Sequence, residues 1–215
     1  TQALCDYLKL ELIVINITPA LDINSNIVEK AINQKGNQWA KGQLVAYSRT
    51  PILYYITSLM NETGTPSIIL GTNNKDEGAY LGYFGKASDG MVDVQLISDI
   101  HKSEVYAIAK EMELPSSIVN AIPAGDMYDG RDDIDVFGAP YDFVELYLAF
   151  LEGKINTEIL SEKSMKNFNT LSSNLEDLHS YNSHKYIACS PSVHLDLMEY
   201  QYEIDGGWKY NNWKR

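Results

Sequence analysis

Two short apolar runs, residues 11–17 (ELIVINI) and 67–71 (SIILG), constrain the fold of this chain more than any other feature. Each is too short for a helix, apolar at consecutive positions and rich in β-branched residues, so each reads as a strand covered on both faces. Strands of that kind belong to parallel sheets flanked by helices. The intervening pattern supplies the helices. Residues 3–10 have helical spacing, and Ser25 is placed to cap a helix over 26–32. Residues 44–60 form a long periodic stretch with Pro51 as a kink, and 103–112 form a helix that stops before Pro115. Thr18-Pro19 ends the first strand, and the polar segments 34–42 and 61–66 read as loops. Helix and strand alternate, and the expected fold class is α/β with a doubly wound parallel sheet. Beyond Pro123 the character changes. Residues 126–142 are acidic and loop-like, 141–151 and 157–178 look helical, and the chain from Ser180 onward is aromatic, polar and irregular. The expected organisation is one α/β domain over 1–154 and a helical and irregular C-terminal cover over 155–215.

Charge narrows the partners. The 215 residues carry 17 basic and 29 acidic side chains, a formal net charge of −12, and no stretch clusters more than two or three basic residues. Such a surface repels nucleic acid and anionic lipid. No apolar run approaches the roughly 20 residues of a membrane helix. Cys5 and Cys189 lie far apart without a CxxC spacing, which supports neither a disulfide framework nor a zinc site. These features point to a soluble, cytoplasmic protein that binds neither nucleic acid nor membrane. Thr1 is not an initiator, and residues 1–10 read as the middle of a helix without a signal-peptide pattern, so a preceding segment is expected.

The chemistry concentrates in residues 71–102, GTNNKDEGAYLGYFGKASDGMVDVQLISDIHK. A strand ending in Gly-Thr sets polar groups at the carboxyl edge of a parallel sheet, where α/β proteins bind ligands. Thr72 offers a hydroxyl, and Glu77 offers a hard oxygen suited to Mg²⁺ beside a nucleotide phosphate. Equally, Thr72 caps a helix and Glu77 answers its dipole. Four glycines between Gly78 and Gly90, with Lys86 and Asp89 among them, have the composition of a loop that approaches a ligand closely. Lys102 opens a helix, where its ammonium and the helix N-terminus both address phosphate; a lone lysine is otherwise solvated. Asp126, Asp129, Asp132, Asp133 and Asp135 form an acidic cluster, but Tyr128 and Gly130 occupy the third and fifth positions, so the alternation of a calcium loop fails and a solvated loop is expected. His184, Lys185 and His194 are cationic or titratable groups for an anion. Four scattered histidines and no G-x-S-x-G motif leave a hydrolase triad unsupported.

Five segments in order resemble the ammonia- or glutamine-dependent NAD synthetases: GTNNKDE, GYFGKASDG with Asp93, the Lys102 of HKSEV, PAGD at Pro123, and GAPYDFVELYL at Gly138. The resemblance covers residues 3–148 and resumes at SHKYIACSPSVH. It implies the fold of the ATP pyrophosphatases and a homodimer built on long helices. It also implies a reaction in which ATP adenylates the nicotinate carboxylate of deamido-NAD, releasing pyrophosphate, before ammonia displaces AMP. Under that resemblance Thr72, Lys102 and Ala124 belong to ATP, with Lys102 neutralising phosphate charge, and Glu77 belongs to Mg²⁺. Tyr47, Arg49, Lys86, Asp93, His184 and Lys185 belong to deamido-NAD; no residue is assigned as acid or base.

The departures are specific. Tyr47 stands where the family has an arginine, unless the register runs through Gly36, Asn37, Ala40 and Lys41. Ala124 replaces a threonine, Asp133-Ile134 an acidic pair, and one extra residue separates Glu77 from Gly82. The Ser-Gly-Gly-x-Asp-Ser phosphate loop of the family is not among these 215 residues. The expectation is an enzyme whose first strand and phosphate loop precede Thr1. The alternatives are another adenylating ligase of the same fold or a non-catalytic nucleotide-binding subunit.

Overall fold

The computed structural model describes residues 1–125, 130–158 and 160–186, with the backbone of Met198–Tyr202 and Trp208–Trp213. The elements run α1 (Gln2–Leu8), α2 (Thr18–Ile32), α3 (Gln38–Glu62), β1 (Leu70–Gly71), a π-helical turn (Lys75–Leu81), β2 (Val94–Gln95), α4 (Lys102–Glu111) and α5 (Ser116–Val119). They continue with α6 (Asp133–Phe137), α7 (Tyr141–Leu151), α8 (Glu162–Asn182), a 3-10 turn (Ser183–Tyr186), β3 (Met198–Tyr202) and β4 (Trp208–Trp213).

The parallel pairing expected from the sequence is present but small. β1 and β2 are parallel, with Leu70 opposite Val94 and Gly71 opposite Gln95. Asp93 closes the joint ahead of them: its amide donates to the Ile69 carbonyl at 3.0 Å, and its Oδ2 accepts from the Ile69 amide at 2.7 Å. Residues 11–17, expected as a buried strand, pair with no strand among the described residues, and Ile13 and Val14 are 71% and 79% exposed. A β-run without a neighbour has no ladder to hold it. Thr18-Pro19 does not end a strand there but starts α2, seven residues ahead of the Ser25 cap. The Asn16 Oδ1 accepts from the Thr18 amide, and Pro19 in the first turn needs no N–H partner.

Other boundaries shift for the same kind of reason. The Asn37 side chain accepts from the Ala40 amide and starts α3 at Gln38, drawing part of an expected loop into a helix that continues through Pro51. The acidic stretch expected as a solvated loop holds α6, because Asp132 and Asp135 accept from each other's amides in a capping box. Ser161 caps α8, which runs on to Asn182, and the C-terminal segment expected to be irregular contains the antiparallel hairpin β3–β4.

The packed core lies away from the small sheet. Leu81, Phe137, Ala139, Val144, Tyr147, Leu148, Phe168 and Leu175 are buried together where the π-helical turn, α6, α7 and α8 meet. Aromatic edges lock it: Tyr83 on Phe137 at 4.9 Å and Phe143 on Phe168 at 5.5 Å between centroids. α8 therefore shares one core with the π-helical turn. Gly82 ends that turn in the left-handed region at φ 61°, and a Cβ there would stand 2.6 Å from the Asn182 Cβ. Gly82→Ala is expected to lower unfolding stability by about 1–3 kcal/mol through backbone strain and this clash. A urea midpoint equal to that of the parent would contradict the packing described.

Candidate functional site

The π-helical turn starts where the Asn74 side chain accepts from the Glu77 amide at 2.9 Å, which turns Asp76 and Glu77 inward. Glu77 Oε1 takes the Lys102 ammonium at 2.9 Å and the Tyr141 hydroxyl at 2.7 Å. Both members of the ion pair are largely shielded, with side-chain exposures of 20% and 14%. The Lys102 ammonium also lies 4.9 Å from the centre of the Tyr141 ring. The Tyr141 hydroxyl stands 2.7 Å from Asp133 Oδ2 as well, so one proton faces two carboxylates. Asp133 is 4% exposed, and its Oδ1 is buried without a partner. Burial pushes the Asp133 carboxyl above the usual carboxylate range. Burial and then the Glu77 charge push the Tyr141 phenol far up, so it remains a donor.

Lys102 is also held by its backbone. Its amide donates to Asp76 Oδ2 at 2.7 Å, and Asp76 Oδ1 accepts from His101 Nδ1 at 2.7 Å. Asp76 is fully buried, and desolvation raises its pKa against the opposing pull of these two donors. Asp76, His101 and Glu145 bring ligand atoms within 4.8 Å of one another. Those atoms already serve the protein: Glu145 accepts from the Ser103 amide and hydroxyl at 2.9 and 2.7 Å.

A second group surrounds a cavity of about 640 Å³ whose lining includes Asn73, Phe84, Lys86, Gln95, Lys185 and Tyr186. The Lys185 ammonium donates to the Gly82 carbonyl at 2.9 Å and lies 5.7 Å from the Phe84 ring centre; desolvation lowers its pKa. The Lys86 ammonium donates to the His184 carbonyl at 3.3 Å. Two α3 residues touch the glycine loop. The Thr50 hydroxyl donates to the Ala87 carbonyl at 2.6 Å, and the Tyr47 ring edge would stand 3.0 Å from a Cβ on Gly85.

The residues expected at a site thus fall into two groups. Glu77 and Lys102 are ion-paired, whereas Lys86 and Lys185 line the cavity, with the His184 carbonyl taken by the Lys86 ammonium and Tyr47 beside the glycine loop. Lys102 is not among the cavity's lining residues. Thr72 is exposed directly after β1, Arg49 is exposed on α3, and Asp93 bonds the Ile69 amide. Ala124 is exposed next to Pro123, whose carbonyl accepts from the Asp133 amide at 3.1 Å. Asp133, expected in a solvated loop, is buried because that bond, the α6 capping box and Tyr141 all draw it inward. Sequence reasoning also passed over Asp76, His101 and Tyr141. The adjacency of Asp76 to Glu77 and of His101 to Lys102 was the available signal. Asp126, Asp129, Cys189 and His194 lie outside the described residues.

The family profile described as NAD synthase matches residues 1–188. Among curated proteins, the chain is 32% identical over 135 residues to the NH(3)-dependent NAD(+) synthetase of Methanococcoides burtonii, covering 63% of this chain and 48% of that protein. It is 31% identical over 155 residues to the same-named protein of Syntrophomonas wolfei, covering 71% and 60%. The chain thus spans about half to three fifths of the length of these relatives. Among solved structures, NMN synthetase from Francisella tularensis superposes with a TM-score of 0.67 at 25% identity over 88% of this chain and 70% of that one. NH3-dependent NAD synthetase from Campylobacter jejuni superposes with 0.62 at 22% identity over 88% and 68%, a likeness of fold.

The buried carboxyl generates a pH prediction. A carboxyl whose folded-state pKa is raised contributes stability that is complete below its unfolded value, near 3.8 for Asp133, and lost as pH rises through the folded value. The Asp133→Asn variant lacks that loss, so its stability relative to the parent is expected to rise as pH increases above about 4. Urea unfolding at several pH values measures it; a constant difference would contradict a raised Asp133.

Proposed function

The chain belongs to the NAD synthase family, and on that premise we propose that it serves the ATP-dependent amidation of deamido-NAD to NAD, with release of AMP and pyrophosphate. The observation that carries this reading is the shielded Glu77–Lys102 pair, which joins the π-helical turn to the head of α4, with Thr72 directly after β1. A carboxylate is a poor electrophile until one of its oxygens becomes part of a leaving group. Its oxygen attacks the α-phosphorus of ATP and the bond to pyrophosphate breaks. Ammonia then forms a C–N bond at the acyl carbon, AMP leaves with the former carboxylate oxygen, and the nitrogen sheds a proton to solvent.

In this scheme Lys102 exchanges Glu77 for a phosphate oxygen and counters the charge that develops on pyrophosphate. Lys86 and Lys185, with His184, frame the anionic dinucleotide at the cavity, with Tyr47, Arg49 and Asp93 as its further contacts. Thr72 and the segment at Ala124 flank the nucleotide. The donors near Lys102 suit Mg²⁺: Glu77 offers a hard oxygen, and the unpartnered Asp133 Oδ1 lies one tyrosine away. Glu77 would hold the ion, which supplies further charge neutralisation on the phosphates.

The doubly wound sheet belongs to the same proposal. The parallel β1–β2 pair supports it. A homodimer is supported by the apolar residues exposed on α2 and α3, among them Ile27, Val28, Ile32, Tyr55 and Leu59. Ammonia as nitrogen donor follows the names of the curated relatives. No helix among the described residues is long and apolar enough to cross a membrane, in keeping with a cytoplasmic enzyme.

One observation favours a second reading of the substrate: the Francisella structure is described as an NMN synthetase. The carboxylate would then be a mononucleotide. With the full-length protein and Mg²⁺, deamido-NAD is expected to promote exchange of labelled pyrophosphate into ATP, and Lys102→Ala to suppress it. Absence of exchange at saturating substrates would overturn the function. Thermal shift separates the readings, because a ligand at 100 times its Kd stabilises by about 2.7 kcal/mol. Stabilisation by nicotinate mononucleotide but not by deamido-NAD selects the second.

A further inference from the structure

We propose that the pair formed by buried Asp76 and partly exposed His101 is a positioning device for Lys102, fixing the backbone of the lysine while Glu77 holds its ammonium. The inference rests on the ATP-binding role argued for Lys102. Consecutive residues of the π-helical turn thus grip one lysine at both ends: Asp76 Oδ2 on its amide at 2.7 Å, and Glu77 Oε1 on its ammonium at 2.9 Å. The two grips differ in kind. The ammonium end is partly exposed and open to exchange with a phosphate, whereas the carboxylate holding the amide is completely buried.

The first amides of a helix have no partner within it and are commonly met by a local side chain. In α4 they are met by carboxylates from distant elements, Lys102 by Asp76 of the π-helical turn and Ser103 by Glu145 of α7. The start of α4 is therefore set directly against the element that carries Glu77. A buried carboxylate is costly unless its oxygens are matched, and His101 matches the second one. The imidazole is oriented from both sides. Its Nε2 faces the Lys75 ammonium at 3.2 Å, and an ammonium only donates, so Nε2 accepts and Nδ1 carries the proton given to Asp76. Lys75 is itself anchored by Glu152 at 3.1 Å and by its amide on the Ile100 carbonyl at 2.9 Å. A continuous chain of hydrogen bonds thus links Glu152, Lys75, His101, Asp76 and the Lys102 amide, with Lys75 donating to both its neighbours and Asp76 accepting from both of its own.

The test uses the full-length protein in the pyrophosphate-exchange assay, with thermal melting as a folding control. His101→Leu removes the donor to Asp76 and is expected to raise the KM for ATP about tenfold or more while leaving the KM for the carboxylate substrate within roughly twofold. His101→Asn places an amide N–H where Nδ1–H stands and is expected to restore the ATP KM to within about threefold of the parent. Asp76→Asn turns an N–H toward Nδ1 and sets the shifted proton against Lys75, so it is expected to match His101→Leu, and the double variant to be no worse than either. Where His101→Leu does not fold, Asp76→Asn is read by the same criteria. A folded His101→Leu or Asp76→Asn variant with an unchanged ATP KM, or with both KM values and kcat changed alike, overturns the proposal when Lys102→Ala raises the ATP KM. If Lys102→Ala leaves that KM unchanged, the ATP role of Lys102 falls, and the proposal falls with it.

Discussion

A seven-residue π-helical turn, Lys75–Leu81, leaves polar groups unmatched at both ends, and much of the ordered structure around it serves to match them. At its start, the Asn74 side chain takes the Glu77 amide and turns two carboxylates inward. At its end, the carbonyls of Tyr80, Leu81 and Gly82 receive donors from His179, Asn182 and Lys185. Tyr186 adds a second donor to Tyr80. One group of contacts builds the Glu77–Lys102 centre, and the other brings the C-terminal end of α8 to the cavity. The same short element therefore fixes the relation between both groups of candidate site residues.

The electrostatics follow from this arrangement. In a chain of net charge −12, a lysine ammonium has many carboxylates to pair with, and most such pairs at a surface contribute little. The Glu77–Lys102 pair differs because both side chains are shielded and the Tyr141 hydroxyl, itself within reach of Asp133, completes the Glu77 hydrogen bonds. Lys185 is held in the opposite manner. It rests on a carbonyl and an aromatic face, and burial lowers its pKa. An ammonium so weakly countered has more to gain from an anionic ligand than one paired with a carboxylate.

Much of this site was legible in the amino-acid order. The run from Gly71 to Glu77, the glycines around Lys86 and the position of Lys102 at the start of a helix all carry local chemistry, and in the structure they run from the end of β1 into the π-helical turn, form a loop and open α4. What escaped reading depends on distance. Asp133 looked like one member of a solvated acidic stretch, because nothing local reports that Tyr141 and Pro123 will enclose it. Asp76 looked subordinate to its neighbour Glu77, because its partners His101 and Lys102 lie 25 and 26 residues away in the chain. Residues 11–17 misled for the opposite reason. Their composition is that of a strand, but a strand exists only where a neighbour completes its hydrogen bonds, and among the described residues none does.

The central claim is that Lys102 is anchored by its backbone and exchangeable at its ammonium. A crystal structure of the full-length protein with Mg²⁺ and ATP tests it most directly. The account predicts a phosphate oxygen on the Lys102 ammonium in place of Glu77, with the Lys102 amide still on Asp76 and Asp76 still on His101. ATP phosphates bound elsewhere, with the Glu77–Lys102 pair intact, would contradict it.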